Sequence, residues 1–261
     1  MTDSTQGQPL SDKPLSGRHI FITGATSGFG NRFAHVLGGL GARVSVAGRR
    51  VERLDALVAD LKTKGIEAFA VPLDVTDLPA IAPALDAAES ALGPLYGLVN
   101  NSGVGGGTSI EKETVENYDW IMNTNVKAVY FMAQAAARRF IERKTEGRIV
   151  NIASIAGLRV LPKLSIYCIS KAAVVQMTRT MAIEWARHGI NVNAICPGYI
   201  ETEINSEFFR TEAGQKSIAR FPRARVGKVE DLDGIISLML DPRSGFMTGA
   251  IVNVDDGQLL M

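Results

Sequence analysis

Short apolar, β-branched runs alternate with stretches of helical period along almost the whole of this chain. His19–Thr23 predicts a first strand and Phe29–Leu40 a helix. Arg43–Ala47 follows as a strand, Val51–Lys64 as a charged amphipathic helix, and Ala68–Leu73 as a third strand. Leu78–Leu92 predicts a helix and Leu95–Asn100 a fourth strand. The stretch Val115–Arg143 reads as one long helical region ahead of a strand at Arg148–Ala153. Within Tyr167–His188, Val174, Met177, Met181 and Trp185 recur at helical spacing. Asn191–Cys196 and Ala250–Val254 supply two further strands. Strand–helix alternation of this kind implies an α/β fold, a doubly wound parallel sheet flanked by helices on both faces. No repeat, low-complexity segment or linker interrupts it, so residues 15–261 are expected to form a single domain. The polar stretch Met1–Pro14 is expected to be a flexible tail.

Composition narrows the partners. Hydrophobic residues make up 46% and charged residues 21%, which allows a sizeable core and argues against a disordered chain. The 28 Lys and Arg balance 27 Asp and Glu, so there is no electrostatic case for nucleic acid or an anionic membrane. No apolar run reaches the length of a membrane span. Cys168 and Cys196 are too few for a disulfide framework and lack metal-ligand spacing. No metal is therefore expected, and a reducing cytoplasm is the expected location.

The turn after the first strand reads Thr23-Gly24-Ala25-Thr26-Ser27-Gly28-Phe29-Gly30. Gly24, Gly28 and Gly30 there would let the chain turn tightly and bring backbone N–H groups to a pyrophosphate at a helix N-terminus. The second strand ends in Gly48-Arg49-Arg50, with no carboxylate to bond the ribose hydroxyls of NAD. An arginine suits the 2′-phosphate of NADP, so Arg49 is the expected clamp and NADP is favoured over NAD. Arg50 is either a second cation or a solvated residue at the helix start.

Further along stand Ser154, Tyr167 and Lys171. Tyr167 and Lys171 are spaced i, i+4 and share one helix face. The ammonium is expected to depress the phenol, whose ordinary pKa of about 10 is too high for proton exchange near neutrality. Ser154 would hold a carbonyl or alcohol oxygen beside it. The histidines His19, His35 and His188 are expected to be structural or solvated.

Taken together, these motifs resemble the short-chain dehydrogenase/reductase family, in its single-domain branch with TGxxxGxG and YxxxK signatures. The resemblance runs from about Leu15 to the C-terminus and implies a Rossmann-like fold with NADP(H)-dependent hydride transfer between a ketone and a secondary alcohol. It implies cofactor contacts along Thr23–Gly30, including Thr26, Ser27 and Phe29. It places Asp74 and Val75 at the adenine, and Asn100, Ser102 and Gly103 along the cofactor. Asn125 matches the asparagine that holds a proton-relay water to Lys171. Pro197, Gly198, Ile200 and Thr202 match the run that meets the nicotinamide carboxamide, while Lys171 would also bind the nicotinamide ribose. The family further implies a homotetramer, or at least a homodimer. Departures are Ser102 in place of alanine, Tyr96 in place of aspartate, and Asp256 in place of glycine.

Substrate choice is expected to rest on Val104–Ile110, Ile155–Leu164 and Glu203–Phe221. Leu158, Val160, Leu161, Pro162, Phe208 and Phe209 would make an apolar pocket for an alicyclic, aromatic or acyl ketone. A second enzyme reading is a 3-oxoacyl-carrier-protein reductase, which would need a cationic docking patch built from Arg138, Arg139, Arg143 and Lys144. A reading of another class is a non-catalytic NADP-binding sensor or scaffold.

Overall fold

The computed structural model describes residues 13–203 and 205–261; of the expected Met1–Pro14 tail, all but Lys13 and Pro14 lies outside them. Seven parallel strands form one sheet in the order β3-β2-β1-β4-β5-β6-β7. They are β1 (His19–Thr23), β2 (Arg43–Gly48), β3 (Ala68–Pro72), β4 (Leu95–Asn100), β5 (Gly147–Ile152), β6 (Ile190–Pro197) and β7 (Ile251–Val254). Helices α1 (Gly28–Gly39) and α2 (Val51–Thr63) cover one face, through Phe33, Leu37, Leu54 and Leu61. Helix α3 (Leu78–Leu92) covers the other through Ile81 and Leu85. Strands buried on both faces read as the continuous apolar runs seen in the sequence, which is why the alternation was legible.

The predicted helix over Val115–Arg143 is broken. It divides into α4 (Val115–Met122), a π-helical turn at Asn123–Lys127, and α5 (Ala128–Arg143). The wider turn buries Thr124 and Asn125, and π-bulges of this kind cluster at functional sites. Helix α6 (Ser165–Trp185) packs beside α5. Three helices were not anticipated between the sixth strand and the last: α7 (Ser206–Arg210), α8 (Glu212–Ile218) and α9 (Asp233–Leu240). In α9 the apolar run Ile235–Leu240 is too short for periodicity to tell helix from strand, and it buries Ile236, Met239 and Leu240.

Two departures from the family pattern gain physical accounts. The Tyr96 hydroxyl donates to the Leu240 carbonyl at 3.1 Å, and the Arg18 guanidinium lies 4.1 Å from its ring centroid. Tyr96 therefore ties β4 to α9 away from the chemistry. Asp256 adopts a left-handed φ of 53° and accepts from Arg225 at 2.8 Å, with Arg223 at 3.4 Å. It pins the middle of the α8–α9 loop to the C-terminal turn.

His19 is structural, as expected. It is fully buried, with Nδ1 2.7 Å from the Gly93 carbonyl and Nε2 2.8 Å from Ser45 Oγ. Burial lowers its pKa from 6.5 to about 4. A folded pKa below the unfolded one gives stability that is full above pH 6.5 and lost as pH falls through about 4. The loss should reach about 3 kcal/mol. Urea titrations of wild type and His19→Gln at pH 7 and pH 4 should show a shallower pH dependence in the variant. Parallel curves would place the acid sensitivity elsewhere.

Candidate active site

A cleft of about 1050 Å³ opens at the C-terminal ends of the strands. It straddles the point where the strand order reverses between β1 and β4, the usual ligand position in open α/β sheets. Its first wall is the turn from β1 into α1. Gly24 and Gly28 have φ of 64° and 53°, and a Cβ on Gly24 would come within 3.0 Å of Asn101 Nδ2. The Asn101 amide donates to the Thr23 and Gly24 carbonyls, both at 3.0 Å. Helix α1 has no acidic residue in its first turn, and Ser27 does not cap it through its side chain. A left-handed glycine turn and helix N–H groups directed at the cleft fit a pyrophosphate.

Arg50 donates to Thr26 Oγ1 at 2.7 Å and to Ser27 Oγ at 3.0 Å, so it braces this turn. Arg49 is exposed, and its pairing with Asp74 is long at 3.9 Å. Asp74 Oδ1 is itself fixed by the Thr76 backbone N–H at 3.0 Å and hydroxyl at 2.7 Å.

The second wall carries Ser154, Tyr167 and Lys171 together. Ser154 ends the segment after β5 and its Oγ accepts from the Ala156 N–H at 3.1 Å. Tyr167 and Lys171 share one face of α6, with Lys171 Nζ 5.7 Å from the Tyr167 ring centroid. The ammonium donates to the Ile152 carbonyl at 2.9 Å. Burial pushes the Tyr167 phenol above its usual range, against the hydrogen-bonding pull of the Ser154 hydroxyl. Burial also lowers Lys171 from 10.5 to about 8. The phenol therefore lies above its usual range, where the spacing alone predicts a depression, because its burial outweighs the pull of the Ser154 hydroxyl. Cys196 is a buried thiol raised to about 11 by burial, so it is no nucleophile near neutrality.

Most of the predicted site residues line the cleft: Gly24, Thr26, Ser27, Gly28, Phe29, Arg49, Arg50, Asp74, Val75, Ser102, Gly103, Ser154, Tyr167, Lys171, Pro197, Gly198, Ile200 and Thr202. Three predicted residues stand behind it. Gly30 faces the β1–α1 turn, where a Cβ would meet the Gly24 carbonyl at 2.4 Å, so it permits close helix packing instead of ligand contact. Asn100 points into the sheet and donates to Asn151 Oδ1 at 2.9 Å. Its neighbour Asn101 lines the cleft in its place. Asn125 is fully buried, and its side chain exchanges two 2.8 Å bonds with the Val104 backbone and donates to Ser170 Oγ at 3.0 Å. That side chain makes none of its bonds to Lys171.

Of the expected pocket residues, Leu161 lines the cleft, together with Ile155 and Leu164 from the same segment. Leu158 and Val160 are exposed outside it, and Phe209 stands behind Tyr199 with ring centroids 6.2 Å apart. Val104, from the first expected segment, also lines the cleft, as do Trp120 and Tyr199, which the sequence reading does not single out. Trp120 lies on α4, within the stretch read as one helix.

The model of the short chain dehydrogenase family matches residues 18–213. The chain belongs to the short-chain dehydrogenase family. Among its relatives, the gluconate 5-dehydrogenase of Gluconobacter oxydans is 36% identical over 244 residues, 93% of this chain and 95% of that protein. The 5-keto-D-gluconate 5-reductase of Escherichia coli K12 is 34% identical over 247 residues, covering 94% and 97%. A crystal structure of a gluconate 5-dehydrogenase from Burkholderia cenocepacia in complex with NADP and tartrate matches with a TM-score of 0.91. It is 31% identical and covers 96% of this chain and 98% of that one. This short-chain dehydrogenase is accordingly an NAD(P)-dependent oxidoreductase acting on CH–OH and C=O groups. None of the helices among its described residues is long and apolar enough to cross a membrane.

Proposed function

We propose that this enzyme interconverts a ketone and a secondary alcohol with NADP(H), using Tyr167 as general acid and base. What supports the reading is the meeting of Ser154, Tyr167 and Lys171 in one cleft with the glycine turn. The nicotinamide supplies or accepts the hydride. Ser154 holds the substrate oxygen through its hydroxyl, and Tyr167 gives that oxygen a proton in reduction. A phenol raised by burial stays protonated at neutral pH, which suits the donor. Lys171 stabilises the phenolate left behind and binds the nicotinamide ribose. Asn125 acts as a positioning residue, since its amide fixes the Val104 backbone at the edge of the cleft. A relay of protons from Lys171 to solvent belongs to the same proposal.

The choice of NADP over NAD rests on Arg49, exposed just after β2, whose end carries no carboxylate to bond the ribose hydroxyls. The Burkholderia cenocepacia structure, which holds NADP, points the same way. Arg49→Ala should weaken NADPH binding by about 1.5–3 kcal/mol through loss of a charge-assisted contact, and NADH far less. Fluorescence titration with both cofactors decides it. Equal losses would make Arg49 structural.

The relatives' names raise a second reading for the substrate, a polyhydroxylated sugar acid. Within the patch that a carrier-protein reductase would need, Arg139 is engaged by Asp86 and Glu89, and Arg143 by Glu89, which favours the first reading. The proposal includes a cytoplasmic setting, which the two buried free thiols suit. It also includes assembly as a homotetramer or homodimer. Exposed Tyr130 and Phe131 on α5, with Ile169 and Ile183 on α6, supply the apolar faces for it. Light scattering that returned a 28.0 kDa particle at micromolar concentration would exclude assembly.

A further inference from the structure

The two ends of the cleft differ in charge. At the nucleotide end stand Arg49 and Arg50, beside Asp74, Thr26 and Ser27. Past Tyr167 the lining turns apolar. A Cβ placed on Gly105 would touch the Tyr167 ring at 3.5 Å, and one on Gly106 would lie 3.9 Å from the Trp120 ring. The loop therefore runs from the phenol directly to the indole. Leu164 immediately precedes α6, and Leu161 is tied to it by its N–H to Cys168 Sγ at 3.4 Å. On the remaining side stands Tyr199. Its ring is stacked on Phe221 at 5.1 Å and backed by Phe209.

Among the described residues that line the cleft, the only cation besides Arg49 and Arg50 is Lys171. It is buried beside the phenol, its ammonium is tied to the Ile152 carbonyl, and the proposed chemistry already engages it with Tyr167 and the ribose. The lining carboxylates, Asp74 and Glu203, give an anion no attraction. A carboxylate brought among Trp120, Leu161, Leu164 and Tyr199 would lose hydration and meet no cation there, only the neutral donors of the indole N–H and the Tyr199 hydroxyl. An apolar ring or chain would instead gain from burial and from aromatic contact.

We infer that the substrate is an uncharged ketone or secondary alcohol whose apolar ring or chain lies against Trp120, and that carboxylate-bearing ketones of the sugar-acid kind are disfavoured. The inference rests on the proposed Tyr167 chemistry and names its substrate class. In the step concerned, the carbonyl carbon takes hydride from NADPH and the carbonyl oxygen takes the phenol proton. The products are the alcohol and NADP, and the phenolate regains its proton from solvent. Trp120 becomes the residue that sets specificity.

A matched pair of ketones isolates the charge: cyclohexanone and 3-oxocyclohexane-1-carboxylate, with 5-keto-D-gluconate as a third probe. At saturating NADPH, kcat/KM should be at least about 100-fold higher for cyclohexanone than for either acid, with the difference chiefly in KM. Trp120→Ala should lower kcat/KM for cyclohexanone about 10- to 100-fold, and Trp120→Phe should recover most of it. Leu161→Arg, which puts a cation in the apolar wall, should narrow the gap between the pair at least tenfold. In parallel, calorimetry on Tyr167→Phe loaded with NADP should rank cyclohexanol above 3-hydroxycyclohexane-1-carboxylate. Acids handled as well as cyclohexanone, Trp120→Ala acting equally on both, or no binding of cyclohexanol would overturn the inference. If no ketone is reduced by the wild type, the Tyr167 reading falls by itself, and the calorimetric order still decides the substrate class.

Discussion

Tyr167→Phe should lower kcat for ketone reduction by at least about 10²–10⁴-fold while NADPH binding and folding change little. The substitution deletes one hydroxyl. The ring that packs against Gly105 stays, as does the helix that carries it. What is lost is the proton donor, held protonated by its burial and set on the same cleft wall as Ser154. Ser154→Ala should also reduce turnover at nearly constant cofactor affinity, with a small stability loss because the Ala156 N–H loses its acceptor. Steady-state kinetics on any accepted ketone, beside a fluorescence titration with NADPH, separates the two quantities. Near-normal turnover in Tyr167→Phe with NADPH bound would remove the catalytic assignment and return the non-catalytic NADP-binding reading to consideration.

Much of this site was legible because it is built from local sequence. The glycine turn, the i, i+4 pair on α6 and the end of β2 each occupy a few consecutive residues, and strand–helix alternation places them at one sheet edge. The errors share a cause. Adjacent strand-end residues point to opposite sides, so Asn100 and Asn101 could be distinguished only by the sheet itself. Asn100 reaches Asn151 across to β5, whereas Asn101 reaches back to the Gly24 carbonyl. Gly30 is demanded by how closely α1 approaches the turn, a tertiary fact that a motif does not separate from ligand contact. The π turn at Asn123–Lys127 leaves the apolar period on either side intact, so Val115–Arg143 reads as continuous. The sign of the phenol shift was missed for a related reason. Spacing reports that two groups are near each other, and only the packed structure reports how thoroughly both are desolvated.

Lys171→Met provides the test of that desolvation. Its pKa falls from 10.5 to about 8 in the folded protein, so its stability contribution is full above pH 10.5 and lost as pH falls through about 8. Without dinucleotide, the wild type should therefore gain up to about 3 kcal/mol between pH 7 and pH 10.5 relative to Lys171→Met. Urea titrations across that range measure the difference. The kinetic consequence has the opposite sign. Below about pH 8 the ammonium stands beside the phenol and ketone reduction should hold steady. Above it the cation is lost and the phenolate loses its stabilisation, so turnover should decline in both directions. Tyr167 and Lys171 are close enough to titrate as a unit, so the observed midpoint belongs to the pair. Lys171→Met should flatten both limbs, cut kcat by about 10²-fold or more and raise KM for NADPH, because one side chain serves phenol and ribose together. A residue kept charged at neutral pH against its own burial is a local cost to the fold, and such costs collect where catalysis requires the charge. If Lys171→Met left the pH profile unchanged, the ionisation near pH 8 would belong to another group and Lys171 would be a structural brace for the Ile152 carbonyl.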